Sequence, residues 1–142
     1  MSRFTMRTTM ASAVLFAGSA TAAFACGHCI EDKIAAVYDH AVVRTALARK
    51  HQVAFFGLDG RLAGGGAERR LIERAAASAD GVDPGSVRAS SEGAALSVAF
   101  DPARTPLGAL QRSLERKLAP KGLLLLPLRV MDAPAELKTA NR

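Results

Sequence analysis

The stretch Gln52-Val53-Ala54-Phe55-Phe56-Gly57-Leu58 decides how this chain folds. Successive residues of an extended strand point to opposite faces, so Val53 and Phe55 share one face and Ala54 and Phe56 the other. Both faces are apolar. A strand of that kind lies in the middle of a sheet and is covered on both sides. Asp59-Gly60 is expected to end it.

Downstream, Gly64-Gly65-Gly66 predicts a loose connection. Residues 67–79 then predict a helix with Leu71, Ile72, Ala75, Ala76 and Ala79 on its buried side. After Asp80-Gly81, the short half-polar run Ser86-Val87-Arg88-Ala89-Ser90 has the character of an edge strand. Ser91-Glu92-Gly93 turns the chain back into residues 95–100, where Leu96, Val98 and Phe100 alternate inward. Thr105 is placed as an N-cap with Pro106 at the first helical position. Leu107, Leu110, Leu114 and Leu118 form the stripe of that helix. Residues 123–130 make the last strand, which Pro127 confines to an edge.

The order from Val53 is therefore strand, helix, strand, strand, helix, strand. That is the α+β, ferredoxin-like βαββαβ sandwich, with its first and third strands central and its second and fourth at the edges. Both helices of that fold occupy one face of the sheet. Ala54 and Phe56 are assigned to the bare face, which needs a cover.

Upstream, residues 30–50 contain no Gly or Pro and predict an additional N-terminal helix of about five turns. Its apolar stripe is Ile30, Ile34, Val37, Tyr38, Ala41 and Val42, and it is the available cover. Cys26-Gly27-His28-Cys29 stands at its N-terminal end and contains the only two cysteines of the chain. Ahead of that motif, Arg3 and Arg7 precede a charge-free run from Thr8 to Ala25 with an apolar centre at residues 10–17. Ala23-Phe24-Ala25 fits the small-x-small pattern of a cleaved secretory signal, and Ala20-Thr21-Ala22 offers a second site. The run is too short and too diluted to span a membrane, which takes about 20 apolar residues. The expected product is periplasmic or secreted, with no membrane span after cleavage.

Four segments follow: a signal at 1–25, the Cys motif and helix at 26–51, the ferredoxin-like domain at 52–130, and a polar, loose tail at 131–142. Of the 142 residues, 49% are hydrophobic and 23% charged, a balance that suits one globular domain. Loss of residues 1–25 removes two of the 19 basic residues and none of the 13 acids, leaving a net charge of +4. The remaining basic residues are interspersed with acids, Trp is absent and Tyr38 is the only tyrosine. Nucleic-acid binding needs a clustered basic stripe with stacking aromatics, so that class is set aside.

Residues 52–130 resemble a heavy-metal-associated domain, the βαββαβ module of copper chaperones and metal-transporting ATPases. The likeness rests on Asp80-Gly81-Val82-Asp83-Pro84-Gly85-Ser86-Val87, on Val98-Ala99-Phe100-Asp101-Pro102, and on the spaced leucines that end near Glu115. That family carries a metal-binding Cys-x-x-Cys in the loop after its first strand. Here the loop, residues 57–66, has no Cys, His or Met, so no ligand carries over from the resemblance.

Any thiol chemistry therefore belongs to Cys26 and Cys29. Their spacing suits two thiolates on one soft ion such as Cu(I), or part of a tetrahedral Zn site, with His28 as a further ligand. The expected partners are a metal ion and a metal-transfer or thiol-redox protein. The same spacing suits thiol–disulfide exchange, since a sulfur at a helix N-terminus has a lowered pKa. Cys-Gly-His-Cys is also the active-site tetrapeptide of protein disulfide isomerases, but the strand that a thioredoxin domain needs before it is absent. A structural disulfide in a non-enzymatic interaction module is the third reading. Glu31 and Asp32, just beyond Cys29, oppose thiolate formation and favour a bound cation. Cys29, His40 and His51 recur every eleven residues, about 16 Å apart along one continuous helix, too far to share an ion. Met131 is expected to pack. No Ser-His-Asp order, phosphate loop or carboxylate pair rises above chance.

Overall fold

The computed structural model describes residues 26–133, with side chains from residue 30 onward. The signal expected at 1–25 and the tail beyond Ala133 lie outside the described residues. The chain runs α1 (Cys26–Val37), α2 (His40–Ala48), β1 (Gln52–Gly60), α3 (Gly66–Ala77), β2 (Arg88–Ser90), β3 (Ala95–Phe100), α4 (Leu107–Leu118), a 3-10 turn over Ala119–Lys121 and β4 (Leu123–Met131). The four strands form one antiparallel sheet in the order β2-β3-β1-β4. β1 and β3 are central and β2 and β4 are the edges. Pro127 sits on the β4 edge as its missing N–H demands, where the register with β1 shifts between Phe55 and Phe56.

α3 and α4 cover one face. Ala54, Phe56 and Leu58 of β1 and Leu96, Val98 and Phe100 of β3 meet Ile72, Ala76, Leu110, Leu114 and Leu118 there. α1 and α2 cover the other. Val53 and Phe55 of β1 and Ala95 and Ala99 of β3 meet Ile34 and Val37 of α1 and Val43 and Ala46 of α2. The N-terminal helices therefore lie over Val53 and Phe55, not over Ala54 and Phe56 as expected. Strand pairing explains the exchange. Phe56 lies opposite Leu96 and Ala54 opposite Val98, and directly opposed residues of neighbouring strands project from the same face.

The expected single helix over 30–50 is two helices. Asp39 breaks it: its backbone is extended, and its carboxylate accepts from the N–H groups of Ala41 and Val42, a standard N-cap arrangement. The break turns the apolar stripe. Val43 and Ala46 are buried on α2, whereas Ala41 is exposed and Tyr38 only lies against Phe55, with ring centroids 6.4 Å apart.

Three smaller expectations also change. Leu71 is 47% exposed, because Ile72 and Ala76 already set the buried face of α3. Pro106, not Thr105, precedes the first helical residue of α4, and the Thr105 side chain instead lies against Gly81, where it leaves no room for a Cβ. The glycine loop is tied down: Gly64 N–H donates to Glu68 and Gly65 N–H to Glu92.

Candidate functional site

Cys26 and Cys29 belong to the first turn of α1 by their backbone, and the side chains of Cys26, His28 and Cys29 lie outside the described residues. Four contacts of α1 and its end fix where that turn stands. Glu31 pairs with Arg129 on β4. Lys33 Nζ donates to the carbonyls of Gly93 and Ala94, at 3.2 and 3.0 Å, in the β2–β3 turn. Buried Ser97 donates its hydroxyl hydrogen to the carbonyl of Val37 at 2.9 Å. Asp39, just past the helix, accepts from Arg88 Nε on β2 at 2.9 Å. α1 thus crosses the sheet from the β4 edge to the β2 edge, and its cysteine-bearing turn is at the β4 side.

The approach is close at the far end. A Cβ added to Gly93 would lie 2.6 Å from the Cβ of Ala36, so only glycine lets α1 settle on this turn. At the near end, Ile30 falls one helical turn before Ile34 yet is 36% exposed, as are Leu124 at 63% and Leu126 at 50% on neighbouring β4. Gly57 faces Leu126, Leu128 and the Lys33 stem, which puts the two leucines on the α1 side of the sheet. Ile30, Leu124 and Leu126 therefore leave apolar surface open on this face.

The loop after β1, where the heavy-metal-associated family carries thiols, is held by carboxylates. Besides Gly65 N–H, Glu92 accepts from the hydroxyl of Ser91, and the same hydroxyl reaches Gly65 O. The Glu92 carboxyl is held below the usual carboxylate range, by its own backbone N–H first and then by that of Gly65. This loop is a structural tie between β1 and the β2–β3 turn.

The two remaining histidines lie beyond α1. His40 is exposed at the start of α2, and the break at Asp39 removes the continuous stripe expected through Cys29, His40 and His51. His51 is engaged elsewhere. Its Nδ1 lies 2.6 Å from Asp83 Oδ2, and its Nε2 faces Asp101 Oδ2 at 4.0 Å. It pins the end of the helical pair to the two loops that flank β2 and β3. The sequence carried only a faint trace of this contact, an acid in each of the two loops. Met131 lies on β4 against the Val53 and Phe55 cluster, as expected of packing.

Asp39 was also missed as more than a neighbour of His40. Its carboxyl is held below the usual range, chiefly by the Val42 N–H and then by the Arg88 guanidinium, against a smaller opposing effect of burial. Among the described residues, no group of three His, Cys, Asp or Glu side chains is arranged to hold a metal, and no helix is long and apolar enough to cross a membrane.

No protein-family model matches the chain, and no curated protein does. Among solved structures it is similar to the crystal structure of oxidized MerP from Ralstonia metallidurans CH34, at 20% identity and a TM-score of 0.42, over 56% of this chain and 99% of that one.

Proposed function

We propose that this chain is an exported carrier of a soft metal ion, bound or passed on through Cys26 and Cys29 with His28 as a third ligand. Cu(I) is the ion that two thiolates match best, with Zn as the borderline choice. On this reading residues 52–130 are a heavy-metal-associated type of scaffold that has moved its thiols out of the loop after β1 onto α1. Residues 1–25 direct the chain to the periplasm, and a metal-transfer protein is the partner.

One observation carries the reading: Cys26 and Cys29 both lie in the first turn of α1. Helical residues three apart are neighbours, about 5–6 Å between Cβ atoms, so two sulfurs there can converge on one ion. The reduced protein should take up close to one Cu(I) per chain in a competition titration with a chromophoric chelator. Cys26→Ser and Cys29→Ser should each abolish tight binding, and His28→Ala should weaken it. A reduced protein that leaves all the Cu(I) with a moderate chelator would overturn the proposal.

Thiol–disulfide exchange is the second reading, and one contact favours it more than the sequence did. Arg129 pairs with Glu31, which partly offsets the negative charge expected to oppose a thiolate near the N-terminus of α1. Disulfide reductase turnover well above that of free dithiol, without retained metal, would establish it in place of carriage. Failure of both assays would leave a structural disulfide.

A further inference from the structure

A cleft of about 300 Å³ separates α3 from the β2 edge, far from the cysteine turn. Arg70 and Arg74 border it from α3, Arg88 borders it from β2, and Ala77 and Val87 form apolar wall. Arg70 and Arg74 are four residues apart and so lie one above the other on one helix face. Both are exposed, and neither guanidinium makes a hydrogen bond or ion pair with another described residue. The carboxylate beside them is already engaged, since Glu73 Oε1 accepts from the backbone N–H of Ala89 at 3.2 Å.

Arg88 is held in place. Its Nε donates to Asp39 at 2.9 Å, and its Nη1 donates to the carbonyls of Gly85 and Val87 at 3.0 and 2.8 Å. Its Nη2 makes no hydrogen bond among the described residues. Three arginines thus line one cleft that has a single carboxylate, already bonded to a backbone N–H, and an apolar wall. Guanidinium groups match carboxylate and phosphate oxygens with paired N–H donors, and they give up their hydration more readily than an ammonium does.

We propose that this cleft binds a small organic oxyanion, its carboxylate or phosphate group held by Arg70, Arg74 and Arg88 and its apolar body laid against Val87 and Ala77. The site is independent of the cysteines and of the metal proposal. A ligand there would also touch the guanidinium that secures Asp39, at the joint of α1 and α2.

The test titrates the whole mature protein at constant ionic strength with benzoate, phenyl phosphate and inorganic phosphate, following backbone amide NMR shifts. Saturable shifts at Ala77, Gly85, Val87 and Arg88 are expected with the two aryl anions, and weaker ones with inorganic phosphate. The stronger of benzoate and phenyl phosphate identifies the headgroup. Arg70→Gln and Arg74→Gln should each weaken binding about tenfold, the usual effect of losing a charged hydrogen bond. Arg116→Gln on α4 should leave it unchanged. Both target arginines are exposed, so unaltered thermal unfolding is expected and would show that the variants fold. Unsaturable shifts, shifts equally strong around Arg44, Arg112 and Arg116, or unchanged binding in both target variants would overturn the proposal. Inorganic phosphate binding as tightly as phenyl phosphate would overturn the role of the apolar wall.

Discussion

The two faces of the sheet are built differently. Under α3 and α4, β1 and β3 present Phe56, Leu96, Val98 and Phe100, and α4 returns Leu110, Leu114 and Leu118, all at most 1% exposed. Under α1 and α2, β3 presents Ala95, Ser97 and Ala99, and the bulk comes from Val53 and Phe55 of β1 with partly buried Leu128 and Met131 of β4 beside them. Large interlocking side chains dominate the first face, with two polar ties beside them, Ala89 N–H to Glu73 of α3 and Asp80 N–H to Ser113 of α4. The second is held by a smaller apolar cluster together with polar pins: Lys33 on the turn, Ser97 on Val37, Asp39 on Arg88 and His51 on Asp83. Small residues admit a helix closely but bury less area, so direction-specific bonds must fix where it sits. The face that carries the cysteine helix has the smaller buried cluster.

Removing residues 26–50 should have the largest effect. It would bare Val53, Phe55, Ala95 and Ala99, and the 51–142 fragment should unfold at lower denaturant and bind a hydrophobic dye. A fragment as soluble and stable as the full chain would mean that the second face contributes nothing.

Single truncations sharpen the contrast. Leu114→Ala, in the fully buried α4 stripe, should cost about 3–5 kcal/mol, and Ile34→Ala on α1 about 2 kcal/mol, because a helix held by fewer contacts can move to close the gap. Denaturant midpoints measure both, and equal losses would erase the difference between the faces. Gly93→Ala comes next. The added methyl meets Ala36, so α1 must lift from the turn, at a cost of about 1–3 kcal/mol. Amide exchange should rise in α1 and not in α4, and a uniform rise would contradict a local wedge.

The smallest effect concerns pH. The Asp39 carboxyl titrates below its unfolded value, so its contribution is present above about pH 4 and is lost as the pH falls through the lower folded value. Asp39→Asn keeps a capping oxygen but not the charge. The stability gap between wild type and this variant should therefore narrow on acidification below about pH 4. A gap that widens there would give the charge the wrong sign.

Much of this was legible in the residues. Two apolar faces made β1 central, Pro127 sent β4 to an edge, the brevity and polarity of residues 86–90 marked β2, and the leucine stripe marked α4. These follow from local chemistry: alternation, helical spacing and a missing N–H. The cysteines were legible as a pair at a helix start, and the absence of ligands from the loop after β1 was plain. The arginine cleft was not, because Arg88 on β2 lies on a different element from Arg70 and Arg74 on α3, and each reads singly as a solvated charge.

The sequence by itself determined that β1 needs cover on both sides and that an N-terminal helical segment is there to supply it. Tertiary structure alone decided which residues that segment covers. Both sides of β1 are apolar, so its pattern holds no preference, and the pairing of Phe56 with Leu96 had to choose. It also decided that the segment is two helices. Ala-rich residues 30–50 favour one continuous helix locally, but the cap at Asp39 is reinforced by Arg88, forty-nine residues away in the chain. A bond of that range leaves no periodic trace in a sequence.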